Sequence, residues 1–200
     1  MPGISIASPG AVGSVLFFSK QELSANQPLR IAVPAASASA INLLLVLLLE
    51  QGCLKPDLIT CQKPELTDNK VDAALVIGDR ALMVDQLWSK NYLRYDLGQW
   101  WHDTYTLPAV FAVFAARKTW HHTKNSGTFN TINETLIISA KFGLNGYFNK
   151  VLDQAEKITG LPRIRLVKYF KEELSYESGA NHQVSLNKYE GLCRKHGLLK

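Results

Sequence analysis

Residues 29–52 read LRIAVPAASASAINLLLVLLLEQG, and this stretch decides the fold. Leu29 to Val33 reads as a strand, stopped by Pro34, which has no N–H to give to a ladder. Ala35 to Gln51 follows as a helix, with Ser37 and Ser39 where N-caps belong and Gly52 where a C-cap belongs. Downstream, Asp57 to Gln62 reads as strand, Pro64 to Asn69 as a short helix, Ala73 to Ile77 as strand and Arg80 to Lys90 as helix. Strand and helix alternating at this spacing specify the α/β class, with a mostly parallel sheet and helices on its faces. In such sheets ligands bind beyond the carboxyl ends of strands, here Pro34 to Ser39 and Gly78-Asp79.

On the N-terminal side, Val12 to Ser19 reads as a buried strand, and Asn26 to Pro28 as a turn. On the other side, Tyr92 to Gly98 reads as an edge segment, followed by Trp100-Trp101. Leu107 to Arg117 is nearly all apolar and is expected as a buried strand. Thr119 to Thr131 is a polar loop carrying His121-His122. Asn133 to Lys150, Val151 to Thr159 and Leu186 to His196 read as helices, and Arg163 to Lys171 as a poorly defined amphipathic stretch.

Apolar residues are 46% and charged residues 20%, the balance of a globular protein rather than a disordered one. The net charge of +5 suits anionic small molecules. Basic residues are spread along the chain with no run longer than two, which argues against nucleic acid as a partner. Cys53, Cys61 and Cys193 show neither Cys-x-x-Cys nor Cys/His spacing, so no disulfide framework or zinc site is expected, and a reducing cytoplasm is the default. The first charged side chain is Lys20, so there is no basic n-region and a signal peptide is not expected. The apolar run Ile41 to Leu49 falls well short of the roughly 20 residues that span a bilayer, so it is expected as a core helix and no membrane partner is expected.

Motifs for a phosphate loop, a dinucleotide fold, an α/β-hydrolase nucleophile or a zincin are absent. The best local anion site is the helix start Ser37-Ala38-Ser39-Ala40, where unpaired N–H groups meet flanking hydroxyls; plain N-capping is the competing reading. Ser14 follows Gly13 in an apolar strand, and its hydroxyl either bonds backbone locally or faces a ligand. Asp79, after Gly78, could cap the next helix. The five histidines show no metal spacing, and Trp100 and Trp101 fit a core or lobe contact better than a stacking platform.

Five segments then fall in order. They are SPGAVGSVLFFS at 8–19, Ser37-Ala38-Ser39, AALVIGDRAL at 73–82, YDLGQWW at 95–101 and LPAVFAVFA at 107–115. Together they resemble the chorismate dehydratases of the futalosine route to menaquinone. Tyr176 and the segment YEGL at 189–192 fit the family's C-terminal part more loosely. The resemblance implies a type 2 periplasmic-binding-protein-like fold, two α/β lobes joined by hinge strands with ligand in the cleft. Residues 20–110 would be one contiguous lobe. Residues 1–19 and 111–200 would supply the hinge strands, at Val12 to Ser19 and Phe111 to Arg117, and an incomplete lobe with a helical C-terminal part.

The implied reaction removes water from chorismate to give 3-[(1-carboxyvinyl)oxy]benzoate. The substrate's enolpyruvyl carboxylate would act as base, with no metal, nucleotide or flavin cofactor. Ser14 would be the cleft serine and catalytic residue. Ser37, Ala38, Ser39 and Ala40 would hold a carboxylate, and Gly78 and Asp79 would line the substrate site. Two departures stand out: alanine at 38 and 40, where the family often has larger or polar residues, and no Pro-Tyr-Leu-Asn stretch such as the family carries in a leading segment. The first lobe is therefore expected to be incomplete, with little turnover by these residues alone. Apolar surface at Val15 to Phe18 and Val110 to Phe114 is expected to be covered by another copy of the chain or an added terminal segment. Alternatives are a sibling enzyme acting on a cyclised futalosine derivative, or a binding-only member of the same fold.

Overall fold

The structure is a computed structural model that describes residues 1–66, 70–117 and 126–199. Seven strands are described: β1 (Ser5–Ser8), β2 (Val15–Ser19), β3 (Arg30–Pro34), β4 (Asp57–Cys61), β5 (Ala73–Ile77), β6 (Leu93–Asp96) and β7 (Ala109–Val113). Between and after them lie α1 (Ala38–Glu50), α2 (Gly78–Trp88), α3 (Leu97–Tyr105), α4 (Ser126–Leu144), α5 (Phe148–Thr159), α6 (Arg163–Lys168) and α7 (Ala180–Lys195). A single π-helical turn, Tyr169–Glu173, extends α6.

Five strands form one sheet in the order β4-β3-β5-β2-β6, and β1 pairs with β7 in a separate two-stranded sheet. In the β3-α1-β4 unit the helix connects parallel strands, and β3 pairs in parallel on both edges, with Arg30 opposite Asp57 and Ile31 opposite Ala73. The sheet is less parallel than expected. β2 runs antiparallel to both its neighbours, Val15 opposite Ile77 on one side and Leu16 opposite Asp96 on the other.

Side chains alternate across this sheet with the period of a strand. Phe17, Ile31, Val33 and Leu75 pack beneath α1's Leu44 and Leu47 and beside Trp100 and Trp101. Leu16, Phe18, Ala32 and Val76 pack on the opposite face with α2's Ala81 and Trp88. Cover on both faces explains why these strands read as unbroken apolar runs. It also corrects one expectation: Val15 to Phe18 is not exposed surface, since it is an interior strand with Leu16, Phe17 and Phe18 at 0% exposure. The run Ile41–Leu49 is indeed core helix, and no helix among the described residues is long and apolar enough to cross a membrane.

Several local expectations need correction. Tyr92 to Gly98 is an edge strand only to Asp96, and Leu97 already begins α3, which carries both tryptophans. The Asp96 carboxylate accepts from the N–H groups of Gly98 and Gln99, a side-chain N-cap of ordinary kind. β7 is shorter than Leu107 to Arg117 and is not buried: Ala109 is covered, while Val113 is 50% exposed. It has β1 on one edge and no strand on its other edge among the described residues. Pro64–Leu66 is not helical, and 67–69 lie outside the described residues. His121 and His122 also lie outside them, and Ser126 to Thr131, expected as loop, is the start of α4.

The crossing from the small sheet into the large one is made by residues 9–14, ahead of β2. The C-terminal helix α7 returns to the large lobe. Leu192 and Cys193 join the core beneath α1, and Trp101 Nε1 donates to Ser185 Oγ at 3.0 Å.

Candidate functional site

Because β2 is antiparallel to β5, its beginning lies at the same sheet end as the carboxyl ends of β3 and β5. Ser14, Gly78-Asp79 and Ser37–Ala40 therefore share one rim. The contact is direct for the first pair: the Gly78 N–H donates to the Ser14 carbonyl at 2.7 Å. β3 is β5's neighbour on the far side, which puts the start of α1 one strand further along.

The loop before β2 is held by one carboxylate. Asp96 accepts from the N–H groups of Val12 at 3.0 Å and Gly13 at 2.7 Å while capping α3. Its side chain is only 2% exposed, with the Arg94 guanidinium 3.5 Å away. A buried carboxylate needs such donors, and each bond to a charged acceptor is worth more than a neutral one. Gly13 completes the turn at φ +66, and a Cβ there would stand 2.4 Å from Arg165 Nη2 and 2.6 Å from Glu173 Oε2. Only glycine meets both demands.

Ser14 is 5% exposed. Its Oγ accepts a hydrogen bond from the Tyr169 hydroxyl at 3.1 Å. Tyr169 opens the π turn, and burial pushes its phenol above the usual range. Beside it Arg165 donates to Glu173 at 2.9 Å, and Lys168 lies 4.0 Å from the same carboxylate. Burial, the largest influence, raises the Glu173 carboxyl in spite of Arg165. Tyr169 also borders a largely apolar cavity of about 470 Å³, together with Asp79 and Leu82 of α2 and Lys150, Ile158 and Phe170 of the helical tail.

The structure thus brings Ser14 and Gly78 together at one sheet end, and Asp79, next to Gly78, borders the cavity. Asp79 is exposed in the first turn of α2 and does not cap it; the N-cap is Ile77, with no side-chain bond. At the start of α1 the capping reading holds for Ser37, whose Oγ accepts from the Ala40 N–H at 3.3 Å. Ala38 and Ser39 are exposed and Ala40 is buried. The Ser39 carbonyl accepts from the Tyr189 hydroxyl at 3.2 Å, so this end of α1 is tied to α7. Tyr169, Arg165, Glu173 and Asp96 were not singled out from the sequence. The π turn is the structural mark of Tyr169 and Glu173, since such insertions recur at functional sites, and Arg165 lies one turn before it.

A sheet with its opening at the carboxyl ends of parallel strands, faced by a second body that reaches across to it, defines the two-lobed binding-protein class. Solved structures agree on that fold. Protein AF1704 from Archaeoglobus fulgidus is 20% identical with a TM-score of 0.66, over 99% of this chain and 72% of that one. The periplasmic aliphatic sulphonate binding protein SsuA from Escherichia coli is 16% identical with a TM-score of 0.58, over 98% of this chain and 65% of that one. The alkanesulfonate-binding protein SsuA from Xanthomonas axonopodis pv. citri, bound to MOPS, is 15% identical with a TM-score of 0.59, over 100% of this chain and 69% of that one. A family model described as menaquinone biosynthesis matches residues 1–195, and the chain belongs to that family.

Proposed function

We propose that the chain is a chorismate dehydratase acting in menaquinone biosynthesis. The observation that carries this reading is the placement of the Ser14 hydroxyl at the sheet rim, beside Gly78 and facing the Tyr169 turn. Membership of the menaquinone family and the ordered segments of the sequence supply the chemistry. Dehydration breaks the ring C3–H and C4–O bonds and forms the C3–C4 double bond. The C3 proton and the C4 hydroxyl leave together as water, and the ring becomes aromatic. With so favourable a product, the protein's task is to hold two carboxylates, orient the ring and ease the departing oxygen.

On this reading Ser14 hydrogen-bonds the departing oxygen. The backbone donors at the start of α1, other than the Ala40 N–H that the Ser37 hydroxyl takes, receive the ring carboxylate, and Gly78 with Asp79 line the substrate site. The anionic ligands named for the sulphonate-binding neighbours are in keeping with a small anion in this cleft. No metal, nucleotide or flavin is needed for the step.

The test adds chorismate to the 200-residue chain, and to the chain joined at Met1 to a family leading segment containing Pro-Tyr-Leu-Asn. Product is followed by its absorbance. Aromatic product from the joined protein, and little from the 200 residues alone, is the expected result. Binding without turnover in both would favour a binding-only protein. Neither binding nor turnover would overturn the proposal.

A further inference from the structure

We infer that Tyr169 is a positioning residue that sets the Ser14 hydroxyl for its ligand, the two forming a relay from the π turn through Ser14 to the oxygen at ring C4; this rests on the dehydratase reading. A serine hydroxyl has one proton to donate and two lone pairs to accept with. In the structure one lone pair is occupied by the Tyr169 O–H at 3.1 Å. Among the described residues nothing accepts the proton of Ser14 itself. A hydroxyl fixed on its acceptor side and unspent on its donor side keeps one hydrogen bond to give to a ligand at the sheet rim.

Tyr169 is built to hold that position. The π turn Tyr169–Glu173 displaces the register of α6, presenting the tyrosine at the start of the insertion. Its ring packs at 5.2 Å from that of Phe170, and the Arg165 guanidinium sits 6.0 Å from its centroid. Arg165 is in turn anchored by Glu173, against the Gly13 backbone that immediately precedes Ser14. Both ends of the hydroxyl pair are thus fixed to one another through a second route. A donor that accepts while it donates is polarised, and its outward bond strengthens. Through the reaction Ser14 keeps its proton; the proton that completes the departing water is the one taken from ring C3.

The relay acts on the C4 oxygen, and the aromatic product has no such oxygen. This separates a positioning role from a merely structural one. Affinities for chorismate and for 3-[(1-carboxyvinyl)oxy]benzoate would be measured by calorimetry with the wild-type chain, Tyr169→Phe, Ser14→Ala and the double variant. Thermal midpoints serve as the control on folding.

Tyr169→Phe is expected to weaken chorismate by roughly fivefold to tenfold, the range for one hydrogen bond. It should leave the product's affinity within twofold and the thermal midpoint within a degree or two. The double variant should bind chorismate no worse than Ser14→Ala alone. Equal loss for both ligands, additive losses in the double variant, or no loss would each overturn the relay while leaving the dehydratase reading standing. The expected pattern of affinities, in a joined protein that never forms product, would sink the dehydratase reading and keep the relay. Absence of chorismate binding by both the wild-type chain and the joined protein would overturn both.

Discussion

Two strands of this chain are almost interchangeable in composition and opposite in environment. Val15–Ser19 (VLFFS) and Ala109–Val113 (AVFAV) are both apolar, five residues long and bounded by irregular chain. The first is flanked by β5 and β6, roofed by helices on both faces, and every residue is buried. The second has β1 on one edge; its last residue, Val113, is 50% exposed, and Phe114 just past it is 38% exposed. Burial follows from neighbours, not from composition. The same contrast runs through the helices. α1 buries seven residues, while α4 and α5 leave Ile138, Phe142 and Ile158 half exposed or more. An uncovered strand edge with apolar residues beside it invites another strand.

The largest effect of a substitution should come from the core. Phe17→Ala in β2 is expected to destabilise the protein by about 3–5 kcal/mol, with Phe114→Ala costing under about 1 kcal/mol. Denaturant unfolding of the two variants checks this. A Phe114→Ala loss as large as that of Phe17→Ala would mean that the β7 face is covered in solution, and sedimentation would then reveal a second copy of the chain.

Gly13→Ala sharpens the link between the two lobes. The substitution strains a left-handed turn and drives a methyl into the Arg165–Glu173 pair, so a loss of about 1–3 kcal/mol is expected. Recovery in a Gly13→Ala, Arg165→Ala double variant would show that the contact, rather than the backbone alone, carries the effect. A smaller loss, about 1 kcal/mol by the same unfolding measurement, is expected for Ser37→Ala, which deletes the cap of α1.

The smallest expected effect depends on pH. Glu50 at the end of α1 accepts from Lys195 at 2.6 Å, and His196 Nε2 lies at the same distance, tying the large lobe to α7. These bonds, Lys195 first and His196 second, hold the Glu50 carboxyl below its usual range. A carboxyl lowered in the folded state stabilises above its unfolded pKa and loses that contribution as the pH falls through its folded one. Glu50→Gln should therefore flatten the acid side of the stability curve by a fraction of a kcal/mol, roughly what an exposed pair contributes. Unfolding midpoints compared between neutral and acidic buffer measure it, and identical acid slopes for the two proteins would remove Glu50 from this role.

The parts of the molecule legible in the sequence are those fixed by local rules. Pro34 after an apolar run, serines before Ala40 and glycine after Gln51 mark the β3-α1 unit to within three residues of its bounds. Pro34 to Ser39 and Gly78-Asp79 were recognisable as a rim because strand ends in such sheets face ligands, whereas Ser14 stood out as a hydroxyl in an apolar strand and took its cleft role from the family resemblance. What escaped is set by distance along the chain. Tyr169 reaches Ser14 across 155 positions, and Asp96 bonds the N–H of Gly13 across 83. Nothing near either residue announces such a partner. Asp96 did carry a local mark, a carboxylate just ahead of Leu97 and Gly98, which could have placed the start of α3. The exposure of β7 was illegible for the reason the two strands illustrate, since its own letters are those of a core strand.

The most direct test is the rate of chorismate dehydration with and without the Ser14 hydroxyl. In the protein joined to a family leading segment, aromatic product formation at saturating chorismate would be compared between wild type and Ser14→Ala, with thermal unfolding run alongside. A fall of about a hundredfold, the scale for losing one positioned donor, with an unchanged thermal midpoint is expected. A Ser14→Ala protein that forms product at the wild-type rate would contradict the placement of the reaction at this rim.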